Sequence, residues 1–147
     1  MRENNLYCTS ENESVGYLLD THTFLWAFLD SGQLSDKVRE ILESNEHPIY
    51  VSTISFWEVA IKEQIGKYSL NGINSILLPN IAKEYNFQIL NPDAYDFITY
   101  KELPLQKNHK DPFDRMLIHL AIRKNLVMLS RDHNFPLYEN DGLQLAW

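Results

Sequence analysis

Five short apolar runs, separated by stretches of helical period, constrain this chain more than any other feature. The runs are Tyr17-Leu18-Leu19, Ile49-Tyr50-Val51, Phe87-Gln88-Ile89-Leu90, Leu126-Val127-Met128-Leu129 and Leu143-Gln144-Leu145. Runs this short and apolar read as buried strands. Between them the apolar spacing is helical. Phe24, Leu25 and Phe28 share a face behind Asp20, and Val38, Ile41 and Leu42 follow a Ser35 cap. Ser52-Thr53 opens a long helix from Ile54 to about Lys67, ending near Gly66. Residues 73–86 read as helical with Pro79 inside the pattern. A kink or break is expected there, because the proline ring clashes with the preceding turn. Asp93 to Glu102 reads as a helix stopped by Pro104, and Asp111-Pro112 starts another that runs to about Asn125. A short helix follows the fourth run, to about Tyr138. Strands alternating with helices predict an α/β domain with a mostly parallel sheet.

The 147 residues fit one domain, and 44% hydrophobic with 12% aromatic residues is enough for a real core. That composition excludes a disordered chain, a collagen-like repeat and a disulfide scaffold. Residues 1–15 are polar and read as an extension outside a domain spanning 16–147. The formal charge of −7 argues against a protein that coats nucleic acid generally, since phosphate binding usually needs a basic surface. It leaves a nuclease open, because bound cations offset clustered carboxylates. The single Cys8 cannot close an internal disulfide. No apolar run spans a bilayer, which takes roughly 20 residues, and the N-terminal stretch shows no apolar signal core. A soluble, cytoplasmic protein away from any membrane is expected.

In parallel sheets ligands bind beyond the carboxyl ends of the strands, so acids just after strands matter most. Asp20 follows the first run and Asp132 the fourth. Each has an alternative role, Asp20 as a helix N-cap and Asp132 in a turn. Asp111-Pro112-Phe113-Asp114-Arg115 combines a capping acid, a first-turn proline and an acid one turn in. Asp111 suits a cap, whereas Asp114 projects toward the helix's positive end, where a carboxylate is favoured as the anion. Glu58 lies in the nearly apolar Ile54-Ser55-Phe56-Trp57-Glu58-Val59-Ala60-Ile61. Burying it unpaired would be costly, which points to a functional role. The competing reading is a partly exposed Glu58 paired with Lys62 at i+4. Several carboxylates at one sheet edge need a cation between them, and hard oxygen ligands suit Mg²⁺ or Mn²⁺. Zinc-spaced Cys/His clusters, a glycine-rich phosphate loop and a G-x-S-x-G elbow are all absent from the sequence.

Tyr17-Leu18-Leu19-Asp20-Thr21-His22, Trp57-Glu58, His109-Lys110-Asp111-Pro112-Phe113-Asp114-Arg115 and Leu129-Ser130-Arg131-Asp132 together resemble a PIN domain. More narrowly, the chain resembles the VapC-type toxins of bacterial toxin–antitoxin pairs, over about residues 16–147. The resemblance implies a five-stranded sheet of order 3-2-1-4-5 with helices on both faces. It implies Mg²⁺- or Mn²⁺-dependent endoribonuclease activity, with Asp20, Glu58, Asp114 and Asp132 as the catalytic, metal-holding acids. Asp111 matches an acid found only in some members. Ser130 keeps the hydroxyl that the family often supplies as Thr. The resemblance also implies a homodimer and an inhibiting antitoxin that reaches the active site.

The residues near these acids carry two readings each. Lys107, His109 and Lys110 form either a solvated basic loop or phosphate contacts at the mouth of the site. Arg115 and Arg131 adjoin acids and would neutralise them or contact RNA. His22 and His119 read as structural. Two other functions compete. In an aspartyl-phosphate phosphatase, Asp20 would be the nucleophile, but His22 stands where a second Asp would act as acid–base. A non-catalytic interaction domain would keep the fold and expose aromatic surface.

Overall fold

The computed structural model describes residues 15–147, so the polar extension expected at 1–15 lies almost wholly outside the described residues. Five strands form one sheet: β1 (Tyr17–Leu19), β2 (Ile49–Ser52), β3 (Gln88–Leu90), β4 (Val127–Leu129) and β5 (Gln144–Ala146). Their order is β3-β2-β1-β4-β5, and every neighbouring pair is parallel. Six helices connect them: α1 (Thr21–Leu29), α2 (Asp36–Ser44), α3 (Thr53–Gln64), α4 (Leu78–Glu84), α5 (Ala94–Ile98) and α6 (Pro112–Arg123). The expected sheet order and α/β class are therefore present, with a fully parallel sheet.

The side-chain alternation of the strands builds two cores. Leu18 and Met128 face one way, against Leu117, Leu120 and Ala121 of α6. Leu19, Leu129 and Val51 face the other, against Phe24 of α1, Val38 of α2 and Ala82 of α4. α3 serves both layers, through Ile54 on one side and Val59 on the other. Burial on both faces explains why the strands read as continuous apolar runs.

Pro79 does not kink a helix. It lies in the first turn of α4, behind a 3-10 turn over Ser75–Leu77. A first-turn proline has no helical hydrogen bond to lose, so its fixed φ starts the helix rather than breaking it. The helix expected after β4 is a 3-10 run, Phe135–Asp141. Gly142, at φ 104°, then turns the chain into β5, in a conformation that a side chain would strain.

Candidate metal centre

Parallel strands deliver their carboxyl ends to one edge, and each connection there starts with a capping side chain. Asp20 caps α1, accepting from the Thr23 amide at 2.7 Å. Ser52 caps α3 and so fixes the start of the helix that carries Glu58. Asp111 caps α6, accepting from the amides of Phe113 at 2.9 Å and Asp114 at 3.1 Å. Asp132 ends the β4 connection, its carboxylate accepting from the Asn134 amide at 2.8 Å. Local capping chemistry thus supplies some of the acids at this edge, Asp20 and Asp111 directly, and sets the helices that carry Glu58 and Asp114.

Glu58, Asp111 and Asp114 converge, each offering an oxygen within 4.8 Å of the others. Asp111 is therefore both a cap and a member of the cluster. Asp20 and Asp132 stand outside that triad but line one cleft of about 240 Å³ with His22, Trp26, Arg131 and His133. The Ser130 hydroxyl joins them. It eases the Asp20 carboxylate toward its ionised form and accepts from the Asp132 amide at 3.1 Å.

The electrostatics report the crowding. Burial, then the charges of Asp111, Glu58, Asp132 and Asp20, push Asp114 up to about 8. Burial also raises Asp20, against the opposing hydrogen bonds from Ser130 and Thr23. Glu58 is 2% exposed. Lys62 Nζ donates to its Oε2, while Oε1 is buried without a hydrogen-bond partner. The two readings of Glu58 thus combine, since it is paired with Lys62 yet buried. A buried, unpartnered carboxylate oxygen beside two further carboxylates is a donor set suited to a hard cation. Neither Cys nor His belongs to the triad, which disfavours zinc.

The basic residues sort differently from their positions in the sequence. His109 is not a solvated loop residue. It is 4% exposed, and its Nε2 lies 3.3 Å from Asp114 Oδ2. Arg115 is buried and forms no salt bridge with an acid among the described residues. Its guanidinium donates to the carbonyls of Leu103 and Pro104 and to the hydroxyls of Tyr100 and Tyr138. Arg131 is exposed, lying 4.3 Å over the Trp26 ring and donating to Gln33 Oε1 at 3.0 Å. His119 is structural, with Nε2 2.9 Å from the Thr99 hydroxyl. His22 is exposed and packs against Trp26 and Tyr68. A further buried acid, Asp96, belongs elsewhere, tied to Arg123 at 2.8 Å and to Lys124 at 3.4 Å.

An apolar groove of about 200 Å³ adjoins the cluster, lined by Ile54, Trp57, Phe97, Tyr100, Phe113 and Met116 among others. Trp57 and Phe113 meet edge to face there at 5.1 Å, each one residue from a cluster acid. Among the described residues, no helix is long and apolar enough to cross a membrane.

Comparison with known proteins places this arrangement. No curated protein matches the chain in sequence. Among solved structures it is similar to VapBC2 from Rickettsia felis, bound to a DNA fragment from its promoter. That match has a TM-score of 0.63 and 18% identity, over 90% of this chain and 98% of that one. It is similar to DNA-bound VapBC from Salmonella typhimurium, with a TM-score of 0.59 and 16% identity over 90% and 97% of the two chains. It is also similar to Mycobacterium tuberculosis VapC20, a toxin that cleaves the sarcin-ricin loop. There the TM-score is 0.55 and the identity 14%, over 86% and 95% of the chains. These likenesses concern the fold. The model of the PIN domain family matches residues 17–140, most of the length, and with the acids gathered at the carboxyl edge of the sheet the chain belongs to that family.

Proposed function

We propose that this chain is a Mg²⁺- or Mn²⁺-dependent endoribonuclease and the toxin of a toxin–antitoxin pair. One observation carries the reading: Glu58, Asp111 and Asp114 converge within 4.8 Å, and a buried Glu58 oxygen in that group has no protein partner. When bound, a divalent cation supplies activation of the attacking water and neutralisation of charge on the phosphate oxygens. Glu58, Asp111 and Asp114 are the residues we assign to hold it. Asp20 and Asp132 complete the acidic edge, and Ser130 fixes Asp20 through its hydroxyl. These acids orient the water that attacks phosphorus as the ester oxygen leaves with a proton. Arg131 lines the cleft that holds Asp20 and Asp132 and pairs with no carboxylate among the described residues, so we assign it an RNA phosphate.

Two partners follow from the same surfaces. Two of the solved neighbours are described as VapBC proteins bound to DNA and a third, VapC20, as a toxin, and an antitoxin is the inhibitor we propose here. A cation-free acidic pocket attracts a basic segment, and an arginine fork bonds paired carboxylates well. The apolar groove at Trp57, which is 59% exposed, suits a second copy of the chain because it offers little to hydrogen-bond.

The test is RNA cleavage with Mn²⁺, with Mg²⁺ and with chelator, comparing wild type with Asp20→Asn and Asp114→Asn. Metal-dependent cleavage that both variants lose is the expected result. Release of phosphate from a small ester, without RNA cleavage, would replace the reading with phosphatase chemistry. Co-purification with the product of the adjacent gene, and loss of cleavage on its binding, tests the toxin assignment.

A further inference from the structure

A chain of buried hydrogen bonds runs from the interior to the acid cluster, and donor counting gives it one direction. Arg115 Nη1 lies 2.9 Å from the Tyr138 hydroxyl. That hydroxyl lies 2.9 Å from His109 Nδ1, and His109 Nε2 lies 3.3 Å from Asp114 Oδ2. Arg115, Tyr138 and His109 are 3%, 0% and 4% exposed, so water does not serve them freely. A guanidinium only donates, so the Tyr138 oxygen accepts from Arg115. The single Tyr138 proton then has one acceptor in reach, His109 Nδ1. That leaves the histidine proton on Nε2, facing Asp114. The opposite tautomer would give Tyr138 two donors and strand its own proton in the core, which costs about 1–3 kcal/mol.

We propose that His109 is a positioning residue for the metal centre, with its tautomer dictated by Tyr138 and Arg115. As the neutral imidazole it donates Nε2–H to Asp114 Oδ2 and fixes the carboxylate plane. Among the described residues this is the hydrogen bond that the Asp114 side chain receives. Such an outer partner orients a ligand and raises its affinity for the ion, and its loss typically costs 10–100-fold in affinity. Arg115 also holds the carbonyls of Leu103 and Pro104, so the same residue pins the segment that leads to His109. Packing confirms the ring's placement, since His109 lies edge-on to Tyr138 at 5.6 Å and beside Phe135 at 6.2 Å.

The inference rests on the metal-dependent reading of the site, so its test uses one readout that needs no metal. Long-range ¹H–¹⁵N spectra of the imidazole report which nitrogen carries the proton. Wild type should show the proton on Nε2, and Tyr138→Phe should move population toward Nδ1. Mn²⁺ titration by calorimetry is the second readout. His109→Leu should bind Mn²⁺ at least about 10-fold more weakly. His109→Gln, which keeps an N–H near the position of Nε2, should recover most of that loss. Tyr138→Phe touches no acid, yet it should weaken Mn²⁺ several-fold and add nothing in the double variant with His109→Leu. Thermal melting checks that each variant is folded; if His109→Leu does not fold, the Gln and Tyr138→Phe variants carry the comparison. A wild-type proton on Nδ1 overturns the inference. So does unchanged Mn²⁺ affinity in folded variants, and that outcome leaves the nuclease reading standing. Wild type that neither binds Mn²⁺ nor cleaves RNA overturns both.

Discussion

Lys62 donates to Glu58 Oε2 across one turn of α3, and Glu58 Oε1 is left buried with no hydrogen bond. The lysine therefore satisfies one half of the carboxylate and the cluster holds the other. Burial costs the ammonium, but Glu58 outweighs it and holds the Lys62 pKa above its ordinary value. Lys62→Met leaves Glu58 buried beside Asp111 and Asp114 without a cation. Removing one partner of a buried pair costs roughly 3 kcal/mol, at the low end here because the lysine is partly exposed. Urea unfolding of metal-free protein should show that loss, and saturating Mn²⁺ should recover much of it by mass action. Equal stability with and without Lys62 would overturn the pairing as a stabilising one.

Asp114 sets the pH dependence. Its pKa rises from 3.8 to about 8, from burial first and neighbouring acids next. A folded state that binds a proton more tightly than the unfolded chain is favoured at low pH. Metal-free stability is therefore full below about pH 4 and falls as pH rises toward 8. Asp114→Asn removes this titration, so its melting temperature should vary less between pH 5 and 8 and exceed wild type near pH 8. The same variant should lose RNA cleavage. A wild-type melting temperature that rises over this window without metal would contradict the crowding of the acids.

Much of this site was legible because the sheet edge is encoded locally. Asp20 stands directly after β1 and Asp132 three residues after the end of β4, and Glu58 is the charge in an apolar helix start. Pro79 misled because the helical pattern was drawn through the preceding 3-10 turn, when a first-turn proline starts helices readily. Arg115 misled by adjacency. Neighbours on a helix point about 100° apart, so a residue beside Asp114 in sequence faces elsewhere, here into the core. That signal was available. His109 was not legible, since its partner Tyr138 is 29 residues away and belongs to a different connection. Sequence distance hides pairings that only the packed fold creates.

Asp111 allows capping and cation binding to be separated. Asparagine keeps an oxygen for the Phe113 and Asp114 amides, so Asp111→Asn should leave the start of α6 intact. Alanine removes the cap and should cost about 1 kcal/mol of stability. Both variants remove a charge from the cluster, so both should weaken Mn²⁺ binding by calorimetry. If Asp111→Asn binds Mn²⁺ as wild type does, Asp111 is a cap alone.

Arg131 and Arg115 make opposite predictions despite their similar positions beside acids. Arg131 is exposed, stacked over Trp26 and held by Gln33, with no carboxylate partner among the described residues. A guanidinium held this way keeps N–H groups for a phosphate at little ordering cost. Arg131→Ala should weaken RNA binding and lower the slope of log K against log salt by about 1, with stability nearly unchanged. Arg115 donates four hydrogen bonds inside the protein. Lysine cannot reproduce that fork, so Arg115→Lys should cost about 2 kcal/mol or more, because buried carbonyls and hydroxyls lose donors. Its salt slope for RNA should match wild type at a temperature where it is folded. Fluorescence anisotropy with a labelled single-stranded RNA, in Ca²⁺ to suppress cleavage and at several salt concentrations, measures both slopes. An unchanged slope for Arg131→Ala would remove the phosphate contact and place RNA on another face of the acidic edge.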